Sequence, residues 1–307
     1  MSGIVADGVS RSFGAVHAVR SASFRAEAGR VTGLVGPNGA GKTTLLLMLA
    51  SLLAPDTGTV RIGDVDPMED PLGARRMLGW MPDALGAWPS LTARETIVTT
   101  ARLYSIERDA AHARAAELLA LVGLSELADA PAKVLSRGQK QKLGLARALV
   151  HDPQVLLLDE PASGLDPDAR VQLRVLLRRL AGEGRTVLIS SHILSELEEV
   201  IDDAVFLVAG SVVDADPALA AARAWRIRLA GEATIADADR VAAALGMASG
   251  ALDVDRNAML VGFATEQAAA AGLRRIVEAG IDVTEFSPAQ SALEHTFLNL
   301  PRSEPHA

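Results

Sequence analysis

Apolar and polar positions alternate in short bursts over the first 30 residues, between glycines and serines, and this pattern predicts small antiparallel strands. Val31 to Val35 then reads as a short apolar strand, Gly36 to Gly41 as a loop, and Lys42 to Ala54 as a helix stopped by Pro55, with a turn at Pro55-Asp56-Thr57-Gly58. Between Leu91 and Val122 the apolar residues fall at helical spacing, as at Ala115, Leu118, Leu119 and Val122, so a helical subdomain is expected, interrupted at Asp129-Ala130-Pro131. A further helix should run from Ser136 to about Leu149. Val155 to Leu158 is an uninterrupted apolar run, the mark of a strand buried on both faces of a parallel sheet. Asp166 is placed to cap the next helix, with Pro167 in its first turn and Leu173, Leu176, Leu177 and Leu180 as its buried stripe. Thr186 to Ser190 and Val205 to Val208 read as strands with a helix from Ile193 to Ile201 between them. Strands alternating with helices predict an α/β fold with a parallel-sheet core and crossover helices.

An Ala-rich stretch with one proline, Asp214 to Ala222, marks a linker, and it divides the chain into residues 1–218 and 219–307. The distal part reads as strand (Arg226 to Leu229), helix (Ala236 to Leu245), two strands (Ala251 to Val254 and Met259 to Phe263), helix (Glu266 to Ala279) and strand (Val283 to Phe286). That order predicts a small α+β domain of the ferredoxin-like split β-α-β kind, followed by a helix from Ser291 to Leu298. The length of 307 residues agrees with about two domains. With 30 basic against 38 acidic side chains the net charge is −8, which argues against a nucleic-acid partner bound through bulk phosphate neutralisation. The absence of cysteine removes disulfides, thiolate chemistry and cysteine-zinc sites, and is compatible with a reducing cytoplasm. Met1 to Phe13 offers no signal-peptide core. The longest apolar stretch, Leu45 to Ala54, falls far short of the roughly 20 residues that span a bilayer, so a membrane role is expected only through a partner.

Three segments carry chemistry. Gly36-Pro37-Asn38-Gly39-Ala40-Gly41-Lys42-Thr43 fits G-x-x-x-x-G-K-[ST] between a predicted strand and a predicted helix, where successive backbone N–H groups, the helix end and Lys42 converge on a phosphate and Thr43 offers its hydroxyl to Mg²⁺. The plain alternative is a glycine turn before a helix. Leu156-Leu157-Leu158-Asp159-Glu160 ends a buried strand with two acids, which alternation directs to different sides. Asp159 suits a Mg²⁺ contact and Glu160 suits a general base or water orienter, unless both merely cap the turn at Pro161. In Leu135-Ser136-Arg137-Gly138-Gln139, Ser136 and Gln139 stand at capping-box spacing, and the same helix tip is an anion site.

Taken in order, the phosphate loop, this pentapeptide, Asp159-Glu160, Ser163-Gly164-Leu165-Asp166 and His192 resemble the nucleotide-binding subunit of ATP-binding cassette (ABC) transporters, over about residues 1 to 218. The resemblance implies a P-loop NTPase cassette with a parallel-sheet core, an antiparallel β subdomain and a helical subdomain at about residues 85–150. It implies ATP and Mg²⁺ as ligands: the loop from Gly36 to Thr44 on the phosphates, Phe13 on the adenine, and Thr43 and Asp159 on the metal. Lys42, Glu160 and His192 would be catalytic. Ser136, Gly138 and Gln139 would contact the ATP of a second copy, giving a head-to-tail homodimer with Ser163 to Asp166 crossing the interface. Two positions depart from the usual pattern. Arg137 replaces a glycine, which is expected to be tolerated on the solvent side. Asp83, in Gly79-Trp80-Met81-Pro82-Asp83, replaces a glutamine and is expected either to reach Mg²⁺ through water or to serve as a turn residue. Phe13 has a core position as its alternative. Trp88 is expected either to grip a membrane partner or to be buried.

The ending Ser291 to Leu298 resembles the closing helix of ATPase subunits of ABC-2-type exporters, the antibiotic-resistance kind included, whereas its His295 reads as a surface residue. The implied function is an ATPase that drives a separate membrane-spanning permease from the cytoplasmic face of the membrane. Two other readings stay open: an importer subunit whose distal domain senses a solute, and a soluble cassette ATPase acting on ribosomes or DNA.

Overall fold

The computed structural model describes residues 3–213 except 85 and 87, and residues 223–289 except 232, 253, 256 and 257. The chain divides into two compact units at Asp214 and Ala215. The linker expected from Asp214 to Ala222 and the helix expected from Ser291 to Leu298, with His295, lie outside the described residues.

In the first unit, β1 (Ile4–Phe13), β2 (Val16–Ala26) and β4 (Thr57–Ile62) form an antiparallel edge, and β3 (Val31–Val35), β5 (Leu78–Met81), β6 (Val155–Asp159), β7 (Thr186–Ser191) and β8 (Asp203–Val208) form a parallel core. A short β9 (Ser211–Val213) joins the two, parallel to β2 and antiparallel to β8. The result is one nine-stranded sheet in the order β4-β1-β2-β9-β8-β3-β7-β6-β5. Every residue of β3, β6 and β7 is buried, as the continuous apolar run at Val155 to Leu158 requires. Around the sheet lie α1 (Lys42–Leu49), α2 (Pro71–Met77), α3 (Ala93–Leu103), α4 (Arg108–Leu121), α5 (Arg137–Ala148), α6 (Pro167–Gly182) and α7 (Leu194–Glu198). Both predicted caps form: the Asp166 carboxylate accepts the Ala169 N–H, and Ser136 and Gln139 make a reciprocal capping box. Among the described residues no helix is long and apolar enough to cross a membrane.

Helix α1 carries the core that matters for the site. Leu45, Leu46, Met48 and Leu49 pack between Ile4, Val9, Val60 and Ile62 of the antiparallel strands and Leu34, Leu157 and Leu188 of the parallel ones. Because both halves of the sheet close on α1, its N-terminus is held at the C-terminal ends of β3 and β6. The helix stops at Leu49 and not at Ala54: Ser51 turns left-handed at φ 57, and the Arg75 guanidinium bonds both its hydroxyl (2.9 Å) and its carbonyl (2.8 Å), so the chain leaves the helix before Pro55 acts. Thr57 and Gly58 are not a turn but open β4, where Gly58 (φ +82) crosses so close to β1 that a Cβ would lie 2.4 Å from the Gly8 carbonyl. Helix α7 is also shorter than the expected Ile193 to Ile201.

The second unit contains β10 (Arg223–Leu229), α8 (Ile235–Leu245), β11 (Val254–Asp255), β12 (Ala258–Phe263), α9 (Glu266–Glu278) and β13 (Val283–Pro288). Its sheet runs β11-β12-β10-β13 with every neighbouring pair antiparallel, the arrangement of a split β-α-β unit. Ile227, Met259 and Val261 of the sheet meet Val241 of α8 and Ile276 of α9 in its core. Of the strand expected at Ala251 to Val254, the pairing seen among the described residues is through Val254 and the following Asp255.

The packing around α1 gives a stability prediction. Leu46→Ala should cost about 2–5 kcal/mol, read as a lowered urea midpoint; a loss below about 1 kcal/mol would remove Leu46 from the core that holds the loop.

Candidate functional site

The loop between β3 and α1 is wedged against its neighbours through two glycines. A Cβ at Gly36 would stand 2.4 Å from the Leu207 carbonyl oxygen, and one at Gly41, whose φ is 102, would stand 2.2 Å from that of Ala18. Gly41 is the N-cap of α1 and supplies no side-chain cap, so the first-turn N–H groups point out of the helix end. Lys42 is only 7% exposed, and its ammonium donates to the carbonyls of Gly36 (2.7 Å) and Pro37 (3.2 Å). Desolvation lowers its pKa, against the opposing charges of Glu160 and Asp159. A buried ammonium among carbonyl dipoles, beside an uncapped helix N-terminus, is a cradle that fits a phosphate group.

At the end of β6 the Asp159 carboxylate is 1% exposed and accepts the Thr43 hydroxyl at Oδ2 (2.8 Å) and the Ser190 hydroxyl at Oδ1 (2.5 Å). A carboxylate and a hydroxyl oxygen held in contact are a hard-oxygen donor pair, and this pair fits Mg²⁺. Glu160 follows in the left-handed region at φ 49, with its N–H shared between the carbonyl (3.2 Å) and hydroxyl (3.1 Å) of Ser190. The backbone thus ends the strand at Asp159 and turns Glu160 aside, where its carboxylate lies 2.9 Å from His192 Nδ1. Burial raises the Glu160 pKa, against the bond to His192 and the Lys42 charge. A carboxylate shifted upward and oriented by an imidazole is suited to act as a base.

The structure therefore brings Lys42, Thr43, Asp159, Glu160 and His192 together. It places Ser136, Gly138 and Gln139 at the tip of α5, in contact with each other and with the loop after β6: a Cβ at Gly138 would lie 2.9 Å from the Gly164 carbonyl oxygen. Phe13 ends β1 at the hairpin to β2, half-exposed, with the Arg11 guanidinium 5.0 Å from its ring centre, so it is not the core residue that was its alternative. Trp88 is not buried either, and its ring lies 5.8 Å from the Arg147 guanidinium. Asp83 approaches Arg137, whose Nη2 is 4.0 Å from Asp83 Oδ1.

Two contributors escape sequence reasoning. Ser190 anchors both Asp159 and the Glu160 amide. Gln141, 3% exposed on α5, donates from Nε2 to the Glu160 carbonyl (3.4 Å). Its only signal in the sequence is a polar residue on the face of α5 that also carries Leu145 and Ala148, both of which are buried.

The family model described as ABC transporter matches residues 19–163. A Nod factor export ATP-binding protein of Burkholderia lata is 42% identical over 63% of this chain, and the chain spans 64% of that relative's length. A daunorubicin resistance ATP-binding protein of Streptomyces coeruleorubidus is 31% identical over 97% of this chain and 95% of its own. Among solved structures, a dimeric ATP-binding cassette in a post-hydrolysis state with ADP and Pi is similar at a TM-score of 0.63 and 26% identity, covering 69% of this chain and 97% of that one.

The raised Glu160 pKa has a consequence for stability. The native state holds the Glu160 proton at pH values where the unfolded chain, with its carboxyl near pKa 4.3, has lost it, so this group's contribution falls as pH rises from about 4.5. Glu160→Gln stays neutral and should gain stability over wild type across that rise, in urea unfolding at several pH values. A difference that shrinks with pH would mean that the partnership with His192 outweighs burial.

Proposed function

The chain belongs to the ABC transporter family, as an ATP-binding member, and from that premise we propose that it binds and hydrolyses MgATP as a head-to-tail homodimer and drives a separate membrane-spanning permease. The observation that carries this reading is the meeting of Lys42, the Thr43–Asp159 pair and the Glu160–His192 pair at the C-terminal ends of β3, β6 and β7, the place where open α/β sheets bind their ligands. Residues 1–218 form the cassette, and residues 219–307 an accessory domain. The chain works at the cytoplasmic face of the membrane through its permease, and the direction is export, supported by the Nod factor export and daunorubicin resistance relatives.

Each group has a physical part in this scheme. The phosphate loop and Lys42 hold the triphosphate; Thr43 and Asp159 hold Mg²⁺. A metal held there would supply positive charge against the phosphates. Glu160 orients a water toward the γ-phosphate and accepts its proton, and His192 fixes that carboxylate and reaches the γ-phosphate. Phe13, half-exposed beside Arg11, offers its ring to the adenine. Ser136, Gly138 and Gln139 close over the nucleotide held by the other copy.

Two variants separate binding from chemistry. Glu160→Gln should bind ATP with unchanged affinity, lose about 10²–10⁴-fold in turnover, and persist as a dimer in MgATP on size-exclusion chromatography; near-normal turnover would refute the role. Lys42→Ala should weaken nucleotide binding about 10- to 100-fold, since a charge-assisted contact to phosphate is lost. An unchanged ATP dissociation constant would take Lys42 out of the site.

A further inference from the structure

The two positions at which the motifs depart from the pattern they resemble meet in space. Arg137 is the first residue of α5, directly after the Ser136 cap, a poor place for a cation because it faces the positive end of the helix dipole. Its guanidinium finds compensation outside the helix. Nη2 donates to the Ser163 hydroxyl at 2.6 Å and stands 4.0 Å from the Asp83 carboxylate. Its stem lies along Gly164, where φ is +75 and a Cβ would come within 2.8 Å of Arg137 Cδ. With Gly138 pressed against the Gly164 carbonyl from the same helix turn, the loop after β6 is gripped between the stem of Arg137 and the backbone of α5. A glycine at 137 would make neither polar contact, and a glutamine at 83 would bring no countercharge.

We propose that Arg137 is a positioning residue that fastens the loop after β5, through Asp83, and the loop after β6, through Ser163, to the tip of α5 within one subunit. Asp83 is then the countercharge of Arg137 and not a metal contact. In the dimer proposed above, on which this consequence rests, Ser136 and Gly138 are presented to the nucleotide of the other subunit in fixed register with Ser163. Both side chains are half-exposed or more, so the pair tunes the site by about fivefold and does not create it.

Hydrogen exchange on the full chain without nucleotide tests the tether. The Ser163 and Leu165 amides bond the carbonyls of Glu160 (3.0 Å) and Ala162 (3.2 Å) and report on the loop after β6. Asp83→Asn, which leaves that loop untouched, should speed their exchange about two- to fivefold in the presence of Arg137 and have no effect beside Arg137→Ala. Unchanged exchange in Asp83→Asn, or equal acceleration in both backgrounds, would overturn the tether. In MgATP turnover each single variant should lower kcat about three- to fivefold with the ATP dissociation constant unchanged, and the double variant no further; multiplied losses in the double variant would overturn the register claim. A wild-type chain without turnover would instead sink the ATPase reading, while the exchange result would still decide the tether.

Discussion

One desolvated cation governs the site. Lys42 sits in the floor of the loop with its ammonium on two carbonyl oxygens, and burial drives its pKa down. Carbonyl dipoles alone compensate such a charge poorly, so the position favours an arriving anion. The surrounding structure prevents the lysine from escaping to water. Gly36 and Gly41 lie too close to the backbones of Leu207 and Ala18 for any other residue, and α1 is fixed by leucines shared between the two halves of the sheet. The hydrophobic core thus positions an electrostatic feature: the better α1 packs, the less freedom Lys42 has to relax.

The acids that serve this cation are differentiated by backbone and not by chemical type. Asp159 completes β6 and accepts one hydroxyl on each carboxylate oxygen, from Thr43 and from Ser190. Glu160 is one residue further on, in a left-handed conformation held by Ser190 and Gln141, and burial pushes its proton affinity up. One carboxylate is fitted to hold a metal and the other to move a proton, and a single φ angle separates the two environments.

Most of this was legible in the sequence wherever the determinant is local. The capping box at Ser136 and Gln139 and the Asp166 cap each reside within a few residues and form as the spacing predicts, and residues 36–41 connect β3 to α1 as expected. Continuous apolar runs identified β3 and β6 because strands buried on both faces need no partner to be recognised. What escaped depends on distant contacts. Strands β4, β5 and β9 are short or interrupted by glycine and become strands only through their neighbours, and the early end of α1 is set by Arg75 from another helix. Asp83 and Arg137 each read as an isolated departure, because nothing local states that the loops after β5 and β6 converge on α5.

The two helix ends at the heart of the proposed dimer differ in a way that orders events. The α1 end is capped by a glycine with no side-chain oxygen, so its N–H groups gain a partner as soon as a phosphate enters. At the α5 end the Gln139 N–H is already bonded to the Ser136 hydroxyl and the Ser136 N–H to the Gln139 side chain. It therefore offers a free anion less than the α1 end does, and in the proposed dimer it contributes once a phosphate is held rigidly against it. A nucleotide should consequently load onto the α1 end of one subunit first, and the α5 end of the other should add its part on closure. In that scheme the capping box keeps the start of α5 ordered before the proposed dimer closes.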